Sequence, residues 1–247
     1  MHFFGSAFLF LKENPYRNTM KKHLIQSLLL AASFFISSFS AFAQAANANG
    51  IANSISEVRP TLPGMIIPNT CVETSDKSKV CTEALFAEKP TVLVVYRGGW
   101  CPYCNAQLNR MKSIESALEF LGFQIVAISP DSNKNIAEQQ SREELAYNLL
   151  ADPKLELAKN MGLAYFLDKK TEEKYRDKLG VPFIDIDGDS RVALPVPAVY
   201  IIDQQGKVHF QYVNPDISVR LSENLLYTAA SETMKVINKV EQKKANK

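Results

Sequence analysis

Histidine is nearly missing from this 247-residue chain: there are three, His2, His23 and His209, and no two are close in sequence. A zinc or copper centre built on imidazoles therefore lacks ligands. The ten glycines are nowhere arranged as Gly-x-Gly-x-x-Gly, which excludes a dinucleotide-binding turn. Lysine plus arginine (28) nearly balance aspartate plus glutamate (26), so no basic surplus points to nucleic acid. No internal repeat is visible, and no flavin, nucleotide or metal motif is present; the expected cofactor is none. Asp185-x-Asp187-Gly188-Asp189 hints at a calcium loop. Ser190 stands at its sixth place and Val196 at its twelfth, so it reads as a solvated turn.

Long hydrophobic runs are scarce too, and the main one lies near the N-terminus. Met20-Lys21-Lys22-His23 forms a basic lead, Leu24 to Phe42 an apolar stretch, and Ala41-Phe42-Ala43 a small-x-small cleavage site. That is the layout of a secretory signal peptide removed after Ala43, with translation starting at Met20 and residues 1–19 an upstream extension. The rival is a retained membrane anchor; the short clean run and the cleavage site favour removal. The expected product is exported, periplasmic in a bacterial setting, and free of the membrane after cleavage. The removed segment holds four basic residues and one acid, so net charge falls from +2 to about −1. About 204 residues remain, enough for one full core. Residues 44–59 are expected as a linker, 60–230 as the domain, and 231–247 as a lysine-rich, solvated tail.

All four cysteines, Cys71, Cys81, Cys101 and Cys104, fall in the exported part. The apolar run Thr91 to Tyr96 reads as a central strand buried on both faces. It leads through Arg97-Gly98-Gly99-Trp100 into Cys101-Pro102-Tyr103-Cys104, where a helical pattern begins. Backbone N–H groups and the helix dipole stabilise a thiolate at a helix start, so Cys101 is expected as an exposed nucleophile. Cys104, one turn on, is placed to attack a mixed disulfide at Cys101. The bland alternative is an inert structural disulfide. A turn centred on Asp76 sets residues 71 and 81 opposite each other on a hairpin, within reach of a structural disulfide. A regulatory thiol pair is the alternative there, while the wide spacing is not that of a zinc knuckle.

Along the chain, Pro60, Pro63 and Pro68 exclude a long early helix. Leu108, Met111, Ile114, Leu118 and Leu121 mark one helical stripe stopped by Gly122. A strand follows over Phe123–Ile128, then a polar helix from Asn133 to Tyr147 with Ser132 as cap. Leu149 to Ala151 reads as a strand, and Asp152-Pro153 as N-cap and first-turn proline of a helix ending at Gly162. Residues 164–191 form a charged excursion with a helix over Thr171–Leu179. Strands over Ala198–Ile202 and Lys207–Val213 and a helix over Leu221–Ala230 complete an α/β fold with a mixed central sheet.

With these stretches in place, the chain resembles the alkyl hydroperoxide reductase/thiol-specific antioxidant (peroxiredoxin-like) branch of the thioredoxin superfamily over residues 60–230. The likeness rests on the strand leading to Trp-Cys-Pro-Tyr-Cys, on Val126-Ala127-Ile128-Ser129-Pro130-Asp131, on Leu149 to Pro153, and on Val196-Pro197-Ala198 before the late strand. It implies a thioredoxin-like fold and a cis peptide bond at Pro197 that brings a substrate backbone beside Cys101; plain strand-edge punctuation is the competing reading. Two departures stand out. The family's Thr or Ser three residues before the peroxide-attacking cysteine is Gly98 here, and its Arg ahead of the late strand is Pro197. The buried acid that thioredoxins place six residues before their first cysteine is Val95.

Trp100, Pro102, Tyr103, Val196 and Pro197 are expected to line the substrate groove, with core packing an equal reading for Trp100. Arg97 either favours the thiolate or is an ordinary solvated arginine. His209, on the polar face of an alternating strand, reads as a surface residue. The function this supports is an exported thiol–disulfide oxidoreductase acting on a disulfide-bearing protein or a peroxide. Its oxidised form would be reduced by an external dithiol, a thioredoxin-like protein or a small thiol. A thiol peroxidase with Cys101 peroxidatic and Cys104 resolving is the near rival. A Sco-type copper chaperone, disfavoured by the two-residue cysteine spacing and the absence of histidine over residues 185–197, and a non-catalytic binding module are more distant ones.

Overall fold

The computed structural model describes residues 50–179 and 190–246; the stretch read as a signal peptide and the Asp185–Asp189 stretch read as a solvated turn lie outside them. Thr91–Val95 (β3) takes an interior place in a seven-stranded sheet because it has no face to offer to water: all five residues are buried. It pairs in parallel with Gln124–Ser129 (β4), from Thr91 opposite Gln124 to Val95 opposite Ile128. On its other side Ala198–Ile202 (β8) runs antiparallel, with Val95 opposite Ala198. Asn148–Ala151 (β5) extends the parallel part beyond β4. The hairpin Cys71–Glu73 (β1) and Lys79–Cys81 (β2) closes one edge, and Val208–Val213 (β9) the other, giving the order β2-β1-β5-β4-β3-β8-β9.

Alternate residues of β3 feed two cores. Val92, Val94 and Tyr96 face the helices Pro102–Lys112 (α2), Glu115–Phe120 (α3), Asn133–Glu143 (α4) and Glu223–Ala245 (α7) through Leu108, Leu118, Ile136 and Leu226. Leu93 and Val95 face Thr82–Glu88 (α1) and Glu156–Asn160 (α5) through Phe86 and Leu157. The stripe from Leu108 to Leu121 makes two helices rather than one. The Ser113 hydroxyl donates to the Arg110 carbonyl at 2.6 Å, competing with the backbone ladder where the chain bends. Ser132 caps α4, its Oγ accepting from Asn135 N–H at 3.3 Å. Asp152 caps from further away than expected: its carboxylate accepts the N–H groups of Glu156, Leu157 and Ala158, and the helix starts only after Leu155 in the left-handed region (φ 55°).

Three expectations need correction. The stretch read as a linker to residue 59 is part of the fold from Ile51 on: Ile51 is fully buried, and Ala52 N–H donates to the Ala164 carbonyl at 2.9 Å. The tail read as frayed is helix, because Leu226, Ala230, Thr233 and Ile237 form one buried stripe at helical spacing along α7. The Val196–Pro197 bond is trans: the described residues hold no cis peptide. The excursion carries Ala164–Phe166 (β6) paired antiparallel with Ala193–Pro195 (β7), with Lys169–Leu179 (α6) between them. Val196 and Pro197 then link β7 to β8.

Candidate active site

The C-terminal ends of β3 and β4 build the site, the position that strand-to-helix crossovers leave open in α/β sheets. Tyr96 N–H continues the ladder to the Ile128 carbonyl at 3.0 Å. A chain of hydrogen bonds then fixes the loop. Tyr96 OH donates to Gln139 Oε1 (2.8 Å), Gln139 Nε2 to Asn105 Oδ1 (2.9 Å), and Asn105 Nδ2 to the Gly99 carbonyl (2.8 Å). Gly99 N–H donates to Asp131 Oδ2 (2.6 Å), which also accepts from Ser129 Oγ (3.2 Å). Burial raises the Asp131 carboxyl above its ordinary pKa, opposed by the Gly99 N–H. Gly98 has no alternative here. Its φ is +136°, and a Cβ would stand 2.4 Å from Trp100 Nε1 and 2.9 Å from Asp131 Oδ1.

Cys101 is the N-cap of α2 and Pro102 its first residue, so the missing proline N–H costs nothing. Both site cysteines are free thiols. The Cys101 thiol is drawn down from 9.0 to about 6, first by the hydrogen bond from the Cys104 thiol. The Cys104 N–H, then the Arg97 and Arg220 charges, add to this against the cost of burial. Cys104 is pushed well up by that same hydrogen bond, by burial and by the charge on Cys101. One proton shared between two sulfurs thus makes a nucleophile and a reserve thiol. The expected exposure is wrong: Cys101 is 1% exposed and Cys104 0%. Both lie in the apolar cluster under α2, with Trp100 packed against it.

Arg97 is the unexpected residue. It is 1% exposed, not solvated, with its guanidinium carbon 5.1 Å from the Trp100 ring centre and 4.8 Å from that of Tyr175 on α6. Trp100 and Tyr175 meet edge to face at 5.2 Å. Arg97 Nε is buried without a hydrogen-bond partner among the described residues. A second guanidinium, Arg220 from the segment before α7, donates from Nη2 to Cys104 Sγ at 3.7 Å, and its Nε is likewise buried and unpartnered. Sequence reasoning missed Arg220, 116 positions from the Cys104 it meets, and Tyr175, 78 positions from the Arg97 it meets. It also missed Gln139 and Asn105; the only local signal was polar residues on otherwise apolar helix faces.

The remaining groove candidates divide. Tyr103 is 49% exposed at the rim and Pro102 is exposed beside it. Pro197 borders a crevice with Gln107, Val199 and Arg220. Val196 is fully buried, its N–H donating to the Leu163 carbonyl, and it packs in the small-sheet core rather than lining a groove. Cys71 and Cys81 are opposite each other in the β1–β2 register and joined by a disulfide. His209 pairs through Nε2 with Asp203 Oδ2 at 2.8 Å, at the β8–β9 hairpin. Among the described residues no group of three histidine, cysteine or acidic side chains is placed to hold a metal ion, and no helix is long and apolar enough to cross a membrane.

The putative peroxiredoxin bcp of Haemophilus influenzae is 31% identical over 78 residues, covering 32% of this chain and 50% of that protein. This chain thus spans about half of that relative's length. Among solved structures, reduced Prx3 in complex with H2O2 from Vibrio vulnificus superposes with TM-score 0.55 at 19% identity, covering 69% of this chain and 99% of that one. Peroxidoxin BcpB from Mycobacterium tuberculosis gives 0.54 at 17% identity, covering 71% and 97%. At such identities the structures speak for a shared thioredoxin-like fold. The profile of the AhpC/TSA family matches residues 63–211, the span that holds β3, both site cysteines and the late strand, and the chain therefore belongs to that family.

Proposed function

We propose that this chain is an exported thiol–disulfide oxidoreductase whose working group is the Cys101/Cys104 dithiol. The unequal ionisation of the two thiols at the start of α2 carries the proposal. The Cys101 thiolate attacks one sulfur of a disulfide, forming a mixed disulfide and expelling the other sulfur as thiolate. Cys104 gives its proton to that leaving group and attacks Cys101 Sγ, releasing the second thiolate. The substrate gains two electrons, one proton from Cys104 and one from water; the protein keeps the Cys101–Cys104 disulfide. An external dithiol, or two small thiols, reverses the change.

Gly98 supports a disulfide substrate over a peroxide. The hydroxyl that the family sets three residues before its peroxide-attacking cysteine is absent, and the backbone has no room for it. The burial of Cys101 favours the second reading, thiol peroxidase, since a peroxide reaches a closed site more easily than a protein disulfide does. There Cys101 would take the distal oxygen as sulfenate, releasing water or alcohol, and Cys104 would displace the sulfenic oxygen as water. Side-by-side stopped-flow oxidation by hydrogen peroxide and by a small disulfide separates the two. Disulfide oxidation at least as fast as peroxide oxidation is expected; peroxide consumption that is orders of magnitude faster and lost in Cys101→Ser gives the site to the second reading. Export rests on the Met20–Ala43 signal pattern, and N-terminal sequencing of the secreted protein tests it, with Gln44 as the expected first residue.

A further inference from the structure

Two guanidiniums flank the dithiol, and neither has a carboxylate at ion-pair distance among the described residues. Arg97 is 1% exposed, with the faces of Trp100 and Tyr175 against its guanidinium and a bare Nε. Arg220 touches Cys104 Sγ and its own neighbour's carbonyl, and its Nε is bare as well. The acid that feels Arg220 is the exposed Asp216, which is engaged by Ser218. A buried cation without a counter-charge is costly. In the reduced protein the Cys101 thiolate supplies that charge.

The thiolate disappears whenever Cys101 enters a mixed disulfide, because its sulfur is then covalently bound and neutral. Both cations, whose charges act on Cys101, are then left beside a neutral disulfide. We propose that Arg97 and Arg220 form a subsite for the carboxylate of a small anionic exchange partner, so that the site trades electrons with carboxylate-bearing low-molecular-weight thiols and disulfides. The bound carboxylate replaces the lost thiolate as counter-charge, and the fork geometry of arginine suits it. With Cys101 and Cys104 both below 2% exposure, a small partner suits the site better than a protein one. The inference rests on the Cys101/Cys104 exchange proposed above. In the reductive direction a thiolate R–S⁻ attacks Cys101 Sγ and expels Cys104 as thiolate. A second R–S⁻ then attacks the R-group sulfur, releasing RSSR and the Cys101 thiolate. Two thiols are oxidised to one disulfide as one protein disulfide is reduced, and Cys104 takes up a proton from water.

The test uses the reduced mature chain and three symmetrical disulfides: dithiodiglycolate (two carboxylates), 2-hydroxyethyl disulfide (neutral) and cystamine (two ammoniums). Oxidation is followed by the fluorescence of Trp100, the one tryptophan. Each rate is divided by that of free mercaptoethanol with the same disulfide, which removes intrinsic reactivity. An arginine–carboxylate hydrogen bond made in the mixed disulfide predicts a normalised preference of roughly tenfold or more for the dianion over the neutral compound. The preference should fall with added salt and collapse towards unity in Arg220→Gln and in Arg97→Met. Because it is a ratio, a changed thiol pKa in either variant cancels, and the wild-type ratio decides even where Arg97→Met does not fold. Equal normalised rates, or cystamine fastest, overturn the subsite while leaving the exchange chemistry standing. Inertness towards all three, with Cys101 still alkylatable, overturns the exchange reading and the subsite with it.

Discussion

Titrating Cys101 asks most of the site's electrostatics, and its size can be worked out. With the thiol drawn from 9.0 to about 6, Cys101 is about 90% thiolate at pH 7, against about 1% for an unperturbed group, a gain of about 90-fold. Nucleophilicity falls with basicity, and a Brønsted slope near 0.45 over three units returns roughly 20-fold of it. The net benefit to attack is therefore only about fivefold at pH 7. The larger use of the low pKa is to make Cys101, and not Cys104, the sulfur that is ionised and attacks. Thiolate absorbance near 240 nm and the pH dependence of alkylation, measured on reduced protein with Cys104→Ser as a companion, read the midpoint. Wild type should titrate near 6. The variant should titrate higher, since the Cys104 thiol is the largest contributor to the shift. The linkage has a fixed sign: the folded pKa is depressed, so the stability that Cys101 adds relative to Cys101→Ser is full above pH 9 and lost as pH falls through 6. A midpoint at or above 8, or a Cys104→Ser midpoint no higher than that of wild type, would refute this account of the site.

Gly98→Ala should lower stability by about 2 kcal/mol or more, from positive-φ strain and contact with Trp100 Nε1, or roughly 4–8 °C in Tm. Calorimetry returning the wild-type Tm would contradict the loop geometry. Ile237→Ala should cost about 2 kcal/mol, because its side chain is buried along α7, whereas a frayed tail would show no change in a urea titration. Removing the Asp152 carboxylate by Asp152→Ala orphans three N–H groups and should cost roughly 1–3 kcal/mol. Hydrogen exchange confined to Glu156–Asn160 would report the damage there first.

The strand that delivers the site was legible because hydrophobicity is local: Thr91 to Tyr96 has no face that tolerates water, and the structure puts it in the interior of the sheet. The Asp76-centred hairpin was legible from counting alone. Arg97 was not, since an arginine after a strand is ordinarily solvated and only the distant Tyr175 completes its aromatic pocket. Cys101's burial escaped for the same reason: the packing against it comes from elements far apart in the chain. The α7 stripe was there to be read in Leu226, Ala230, Thr233 and Ile237, but Lys235 and the lysines after Ile237 suggested a tail. The proline isomer was inferred by resemblance, not from local physics. The structure holds that bond trans.

The central claim is that Cys101 and Cys104 cycle between dithiol and disulfide. Peptide mapping by mass spectrometry, after oxidation with one equivalent of a small disulfide and again after re-reduction, tests it most directly. The account predicts a Cys101–Cys104 bond that forms and disappears while Cys71–Cys81 stays intact throughout. A Cys101 that remains free, pairs with Cys71 or Cys81, or passes to sulfinic acid without bonding to Cys104 would contradict it.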